Sequence, residues 1–169
     1  MTVVHPAAAS GARRWPGERF AAIARSEAHR GRPVVITGTS DERTLAGRVA
    51  AATGLDPHCV LAATTDLDGL TRIVAAAGRV VYGDTGIAHL ATALGTPSVV
   101  LFGPVPPAEW GPPPDRPHHV ALRAGQRGNP QAEKVDPGLL AITVGEVERA
   151  VINLPARPTR QPLLAGILR

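Results

Sequence analysis

The feature that most constrains this chain is a series of short apolar runs in which polar and apolar residues do not alternate. They are Val3-Val4, Val34-Val35-Ile36, Val60-Leu61, Val80-Val81-Tyr82, Val99-Val100-Leu101-Phe102 and Val120-Ala121-Leu122. A strand with one wet face alternates, whereas a strand covered on both faces reads as continuous hydrophobicity. Segments of helical spacing lie between the runs: Phe20, Ile23 and Ala24; Leu45, Val49 and Ala52; Leu67, Leu70, Val74 and Ala77; Ile87, Leu90, Ala91 and Leu94. Pro16 is expected in the first turn of the first helix, and Gly95 with Pro97 closes the fourth. Thr143 and Glu146 form a capping box that opens a last helix with Val144, Val147, Val151 and Leu154 inward. Buried strands alternating with helices predict an α/β fold: a Rossmann-like parallel sheet with helices on both faces.

Residues 1–154 read as one domain and 155–169 as a linker and C-terminal tail, the tail carrying the apolar run Leu163-Leu164-Ala165-Gly166-Ile167-Leu168. Gly103 to Pro117 holds seven prolines and is expected to be a stiff loop; Gln126 to Pro137 also reads as loop. A hydrophobic share of 44% excludes wholesale disorder. Aromatics are few (Trp15, Phe20, Tyr82, Phe102 and Trp110), so the core must be mostly aliphatic.

The net charge of +4 does not mark a nucleic-acid binder. Arg157, Arg160 and Arg169 in the tail supply most of it, and no basic stripe with interleaved aromatics is present. Cys59 is alone, which excludes an internal disulfide and predicts a small buried apolar residue in a reducing compartment. No apolar run reaches the ~18 residues that span a bilayer, and the first ten residues lack the pattern of a signal peptide. These features predict a cytoplasmic protein, working at the inner face of the membrane. His118-His119 reads as loop or strand edge rather than a metal site.

In open α/β sheets ligands bind beyond the carboxyl ends of the strands. The most informative segment there is Gly83-Asp84-Thr85-Gly86-Ile87-Ala88-His89-Leu90, where a strand ends and a helix begins. A helix start offers unpaired N–H groups and a partial positive charge. Thr85 adds a hydroxyl, Gly86 lets an anion reach the backbone, and His89 lies one turn on, above Thr85. The set fits a phosphate cradle, with Asp84 on sugar hydroxyls; equally, Asp84 fits a helix cap and His89 a packed histidine. In Gly38-Thr39-Ser40-Asp41-Glu42, Glu42 fits either a ribose acceptor or the partner of Thr39 in a capping box. Arg13-Arg14 after the small-residue loop Ala7 to Ala12 fits either a diphosphate clamp or a solvated surface. Trp15 fits a core anchor, and the rim from Phe102 to Pro112 could hold a nucleobase.

Together the runs Val80 to Pro97, Leu101-Phe102-Gly103-Pro104, Trp110-Gly111-Pro112, His5-Pro6 and Arg14 to Phe20 resemble glycosyltransferase family nine, the ADP-heptose:lipopolysaccharide heptosyltransferases. The resemblance covers residues 3–154 and implies the C-terminal, donor-binding half of a two-domain GT-B enzyme. It implies that Asp84, Thr85, Gly86 and His89 hold the donor's phosphates and sugar, Glu42 the ribose and Arg13 the diphosphate. It implies inverting, metal-independent transfer to a glycan or glycolipid acceptor. No cofactor is implied, since the nucleotide-diphosphate sugar is substrate, ADP-heptose being the family default. The catalytic base is expected in an N-terminal Rossmann domain that this chain does not contain, so the chain alone should bind donor without turnover. Ala7 stands where the family has Gly, Arg13 where it has Lys, and Gly83 where it has Asn. A non-catalytic nucleotide-sugar-binding module and a degenerate fragment are the alternatives, and a GT-B-like epimerase is disfavoured.

Overall fold

A computed structural model describes residues 1–155. The expectations for the tail therefore fall outside the described residues. The strands are β1 (Thr2–His5), β2 (Val34–Ile36), β3 (Arg79–Gly83), β4 (Ser98–Phe102) and β5 (His119–Arg123). The helices are α1 (Gly17–His29), α2 (Arg43–Thr53), α3 (Leu67–Ala76), α4 (Ile87–Leu94), α5 (Pro107–Trp110), α6 (Pro137–Ala141) and α7 (Val144–Ile152). All strand pairs are parallel, in the order β2-β1-β3-β4-β5.

The predicted run Val60-Leu61 is reduced to one bridge, Ile36 to Val60, on the far side of β2. The chain has no room to extend there. A 3-10 turn at Pro57–Cys59 precedes it, and Thr64 N–H turns back onto Leu61 O at 3.3 Å just after it, with Ala63 in the left-handed region at φ 65°. Counting that bridge, the strand sequence is the Rossmann order, and the winding reverses between β1 and β3.

Side chains alternate between two cores, as parallel strands covered on both faces require. Val4, Val81, Val99 and Leu101 face α1, α2 and α7; Val3, Val80, Tyr82, Val100 and Phe102 face α3 and α4. Trp15 is fully buried as expected. Its Nε1 donates to Ile142 O at 3.0 Å, and its ring meets Phe20 edge-on at 5.1 Å. That anchor fixes where the loop after β1 re-enters the fold.

Several local expectations shift. Pro16 is the residue before α1 rather than within its first turn. Ala52 is exposed, and the inward face of α2 is Ala46, Val49 and Ala50. Leu67 stands in solvent at the start of α3. Cys59 is only partly buried, because its 3-10 turn lies at the sheet margin. The loop after β4 contains the single-turn α5. The capping box of α7 forms in full: Thr143 N–H donates to Glu146 Oε2 at 2.7 Å, and Glu146 N–H donates to Thr143 Oγ1 at 3.3 Å. His119 opens β5 and bonds through Nδ1 to Ser98 Oγ at 2.9 Å, with the Tyr82 hydroxyl 2.9 Å beyond. Burial in that chain pushes His119 down to about 4, so it stays neutral.

Candidate functional site

The carboxyl ends of β1 and β3 flank the point where the winding reverses. The loop after β1 folds into a 3-10 turn at Gly11–Arg13 that crosses the end of β3. The approach is close: a Cβ on Gly83 would lie 3.0 Å from Arg13 O. Arg13 Nη1 thereby comes to 3.7 Å from Asp84 Oδ2, and Arg13 Nε donates to Ser10 Oγ at 3.4 Å. Asp84 is buried, and burial pushes its carboxyl above the usual range against the pull of Arg13 and His89. Asp84 does not cap α4, where no side-chain cap bond forms and Gly86 is the N-cap.

The start of α4 is open. Ala88 N–H folds back to Thr85 O at 3.0 Å and His89 N–H to Gly86 O at 3.1 Å, while the N–H groups of Thr85 and Gly86 find no acceptor among the described residues. Gly86 has an ordinary helical φ of −55°. Its lack of a side chain is therefore a matter of clearance, and a Cβ there would meet nothing within 4 Å. Thr85, Gly86, Arg13 and His89 line one cavity of about 410 Å³, within the size range of small-ligand sites.

The far wall was legible only in part: Val105 and Trp110 belong to the rim expected to hold a ligand, and Pro130 and Gln131 do not. Val105, Trp110, Pro130 and Gln131 complete the cavity. Pro130 and Gln131 belong to the segment that reads simply as loop. It is clasped to the loop after β1: Ser10 Oγ donates to Pro130 O at 2.5 Å, Ala12 N–H to Ala132 O at 2.9 Å, and Asp136 N–H to Ala12 O at 3.3 Å. Gly11 makes the clasp possible, since a Cβ there would fall 1.6 Å from Glu133 O. The available signal was Gly11 itself, a glycine in a loop with no helix to end.

Glu42 does not line this cavity. It stands after β2, where Oε2 accepts from Thr39 N–H at 2.8 Å; the expected capping box does not form, because Glu42 itself is the N-cap of α2 and no side-chain cap bond is made there. Its charge reaches the buried His5, which bonds through Nδ1 to Thr37 Oγ1 at 3.0 Å. Burial lowers the His5 pKa, and Glu42 partly offsets that shift. The site residues thus form two groups: Arg13, Asp84, Thr85, Gly86 and His89 in the cavity, and Glu42 on the β2 side.

The family model for glycosyltransferase family 9 (heptosyltransferase) matches residues 1–138. The chain belongs to glycosyltransferase family 9. Among family relatives, the lipopolysaccharide heptosyltransferase 1 of Pseudomonas aeruginosa is 39% identical over 98 residues, 57% of this chain and 27% of that protein. The lipooligosaccharide heptosyltransferase 2 of Haemophilus ducreyi is 30% identical over 142 residues, 81% of this chain and 37% of that one. The solved E. coli ADP-heptose lipopolysaccharide heptosyltransferase II superposes with a TM-score of 0.76 at 27% identity, over 90% of this chain and 45% of that structure. An E. coli heptosyltransferase solved with ADP gives a TM-score of 0.73 at 24% identity, over 91% and 44%, which shows the shared fold. This family 9 chain therefore spans less than half the length of these relatives. No helix of the described residues is long and apolar enough to cross a membrane.

Proposed function

We propose that this chain is the donor-binding half of an inverting glycosyltransferase that moves a sugar from a nucleotide diphosphate to a glycan or glycolipid hydroxyl. The carrying observation is the convergence of Arg13, the open start of α4 and His89 in one cavity at the reversal point between β1 and β3. In this reading the N–H groups of Thr85 and Gly86 take the diphosphate oxygens. Arg13 and His89 hold the charge that grows on the diphosphate as the sugar–oxygen bond breaks. Asp84 takes sugar hydroxyls, and Glu42 takes the ribose. ADP-heptose is the favoured donor, because relatives solved with ADP and with ADP-2-deoxy-2-fluoro heptose share this fold.

The acceptor hydroxyl must lose a proton as it attacks the anomeric carbon, so a base is required. Asp84 is the only carboxylate lining the cavity among the described residues, and it is committed to Arg13. The base therefore comes from a second Rossmann-like domain, and the reaction takes place in the cytoplasm at the inner face of the membrane.

Calorimetric titration of the chain with ADP, GDP and UDP tests the reading. Binding of at least one, without sugar transfer by the chain alone, is expected. Silence with all three would overturn it, and transfer by the lone chain would overturn the assignment of the base. Gly86→Val separates site from scaffold. A side chain there projects into open cavity, so the variant should lose no more than about 1 kcal/mol of stability, the scale of a helix-cap change. It should bind ADP at least about tenfold more weakly, because the side chain occupies the diphosphate's approach.

A further inference from the structure

Four of the five aromatic rings belong to the core: Trp15, Phe20, Tyr82 and Phe102 are 0–1% exposed. Trp110 is 60% exposed and shares the cavity with Asp84 and His89. The backbone holds it there. The single turn α5 starts on Pro106-Pro107, and Gly111 N–H donates to Pro107 O at 2.6 Å. A Cβ on Gly111 would lie 2.4 Å from that oxygen, so the turn requires glycine. Glu109, on the same turn, pairs with Arg127. The turn is pinned on both sides and presents an indole to the site.

Sheet order fixes what the indole can meet. In the order β2-β1-β3-β4, Glu42 follows β2, Arg13 follows β1, Asp84 to His89 follow β3, and Trp110 follows β4. Glu42 and Trp110 are therefore about three strand spacings apart, roughly 14 Å. A nucleotide-diphosphate sugar is linear: nucleoside, diphosphate, sugar. With the diphosphate on Arg13 and α4 and the ribose toward Glu42, the sugar falls on the β4 side and the base on the opposite side.

We propose that Trp110 is the platform for the transferred sugar, stacking on its apolar C–H face while Asp84 takes its hydroxyls. An indole beside a carboxylate complements both aspects of a pyranose, a flat apolar face and a polar rim. This assignment rests on the donor-site reading above, and it moves the rim from Phe102 to Pro112 from base recognition to sugar recognition.

The test titrates the full chain, Trp110→Ala and Trp110→Phe with ADP and with ADP-2-deoxy-2-fluoro heptose. Trp110→Ala should leave ADP affinity within about twofold and weaken the sugar nucleotide about tenfold, with Trp110→Phe retaining most of the affinity. Because Trp15 is buried, the sugar nucleotide should also shift the Trp110 fluorescence in the wild type, and ADP should shift it far less. Trp110→Ala binding both ligands as the wild type does, or losing both equally, overturns the platform and leaves the donor site standing. A wild-type chain that binds neither ligand overturns the donor reading and the platform with it.

Discussion

Arg13→Ala is expected to weaken nucleoside-diphosphate binding by roughly 10- to 150-fold, the value of one charge-assisted contact of about 1.5–3 kcal/mol in a sheltered site. The effect is large because Arg13 does two things at once. It lines the cavity proposed to take the diphosphate, and it is the cation 3.7 Å from the buried Asp84 carboxylate. Burial already pushes Asp84 above the ordinary carboxylate range with Arg13 in place. Without Arg13, Asp84 should rise further, and stability should fall at neutral pH because an unpaired charge is left in the interior. The double variant Arg13→Ala with Asp84→Asn removes that penalty. It should recover stability, measured as the denaturant midpoint, and still bind diphosphate poorly. Recovery of binding in the double variant would mean that Arg13 acts only by neutralising Asp84.

Glu27→Ala should lower the unfolding free energy by about 3 kcal/mol, within the 3–5 kcal/mol typical of breaking a buried ion pair. Glu27 is 1% exposed. It accepts from Thr2 Oγ1 at 2.6 Å and Arg32 Nη1 at 2.7 Å, with Arg79 Nε at 3.8 Å. It thus ties the end of α1 to the first residues of β1 and β3. The loss falls at the low end of that range because Arg32 keeps 35% side-chain exposure and can be rehydrated. These contacts lie at the amino ends of the strands, opposite the cavity. Diphosphate affinity, measured well below the unfolding midpoint, should therefore stay at the wild-type value. A loss of affinity matching the loss of stability would show that the two ends of the sheet are coupled.

The two sites differ in how far the sequence disclosed them. The strand-to-helix turn at Gly83 to His89 that lines the cavity was legible because it is local: strand, glycine, helix start and the helical offset between Thr85 and His89 all lie within a few residues. The unbroken apolar runs disclosed the covered parallel sheet for the same reason. Val60-Leu61 has the composition of a strand, but the turns on either side leave it one bridge, and composition carries no information on length. Glu27 lies one helical step beyond Phe20, Ile23 and Ala24 and is buried with them, whereas a lone charge in the sequence suggests a solvated position. The Pro130-Gln131 part of the far wall was illegible because it depends on residues 8–13 docking on residues 128–136, a contact across more than a hundred residues of chain. Only Gly11 hinted at it, and a single glycine does not say what approaches it.

The most direct test of the donor site is backbone amide NMR of the isotope-labelled chain titrated with ADP. The amides of Arg13, Thr85, Gly86 and His89 are expected to shift first and saturate together, with smaller changes near Glu42. Shifts concentrated elsewhere, for example in the hollow between β5 and α7 lined by Leu122, Arg123 and Arg149, would contradict it, as would the absence of any shift at Thr85 and Gly86 at saturating ADP.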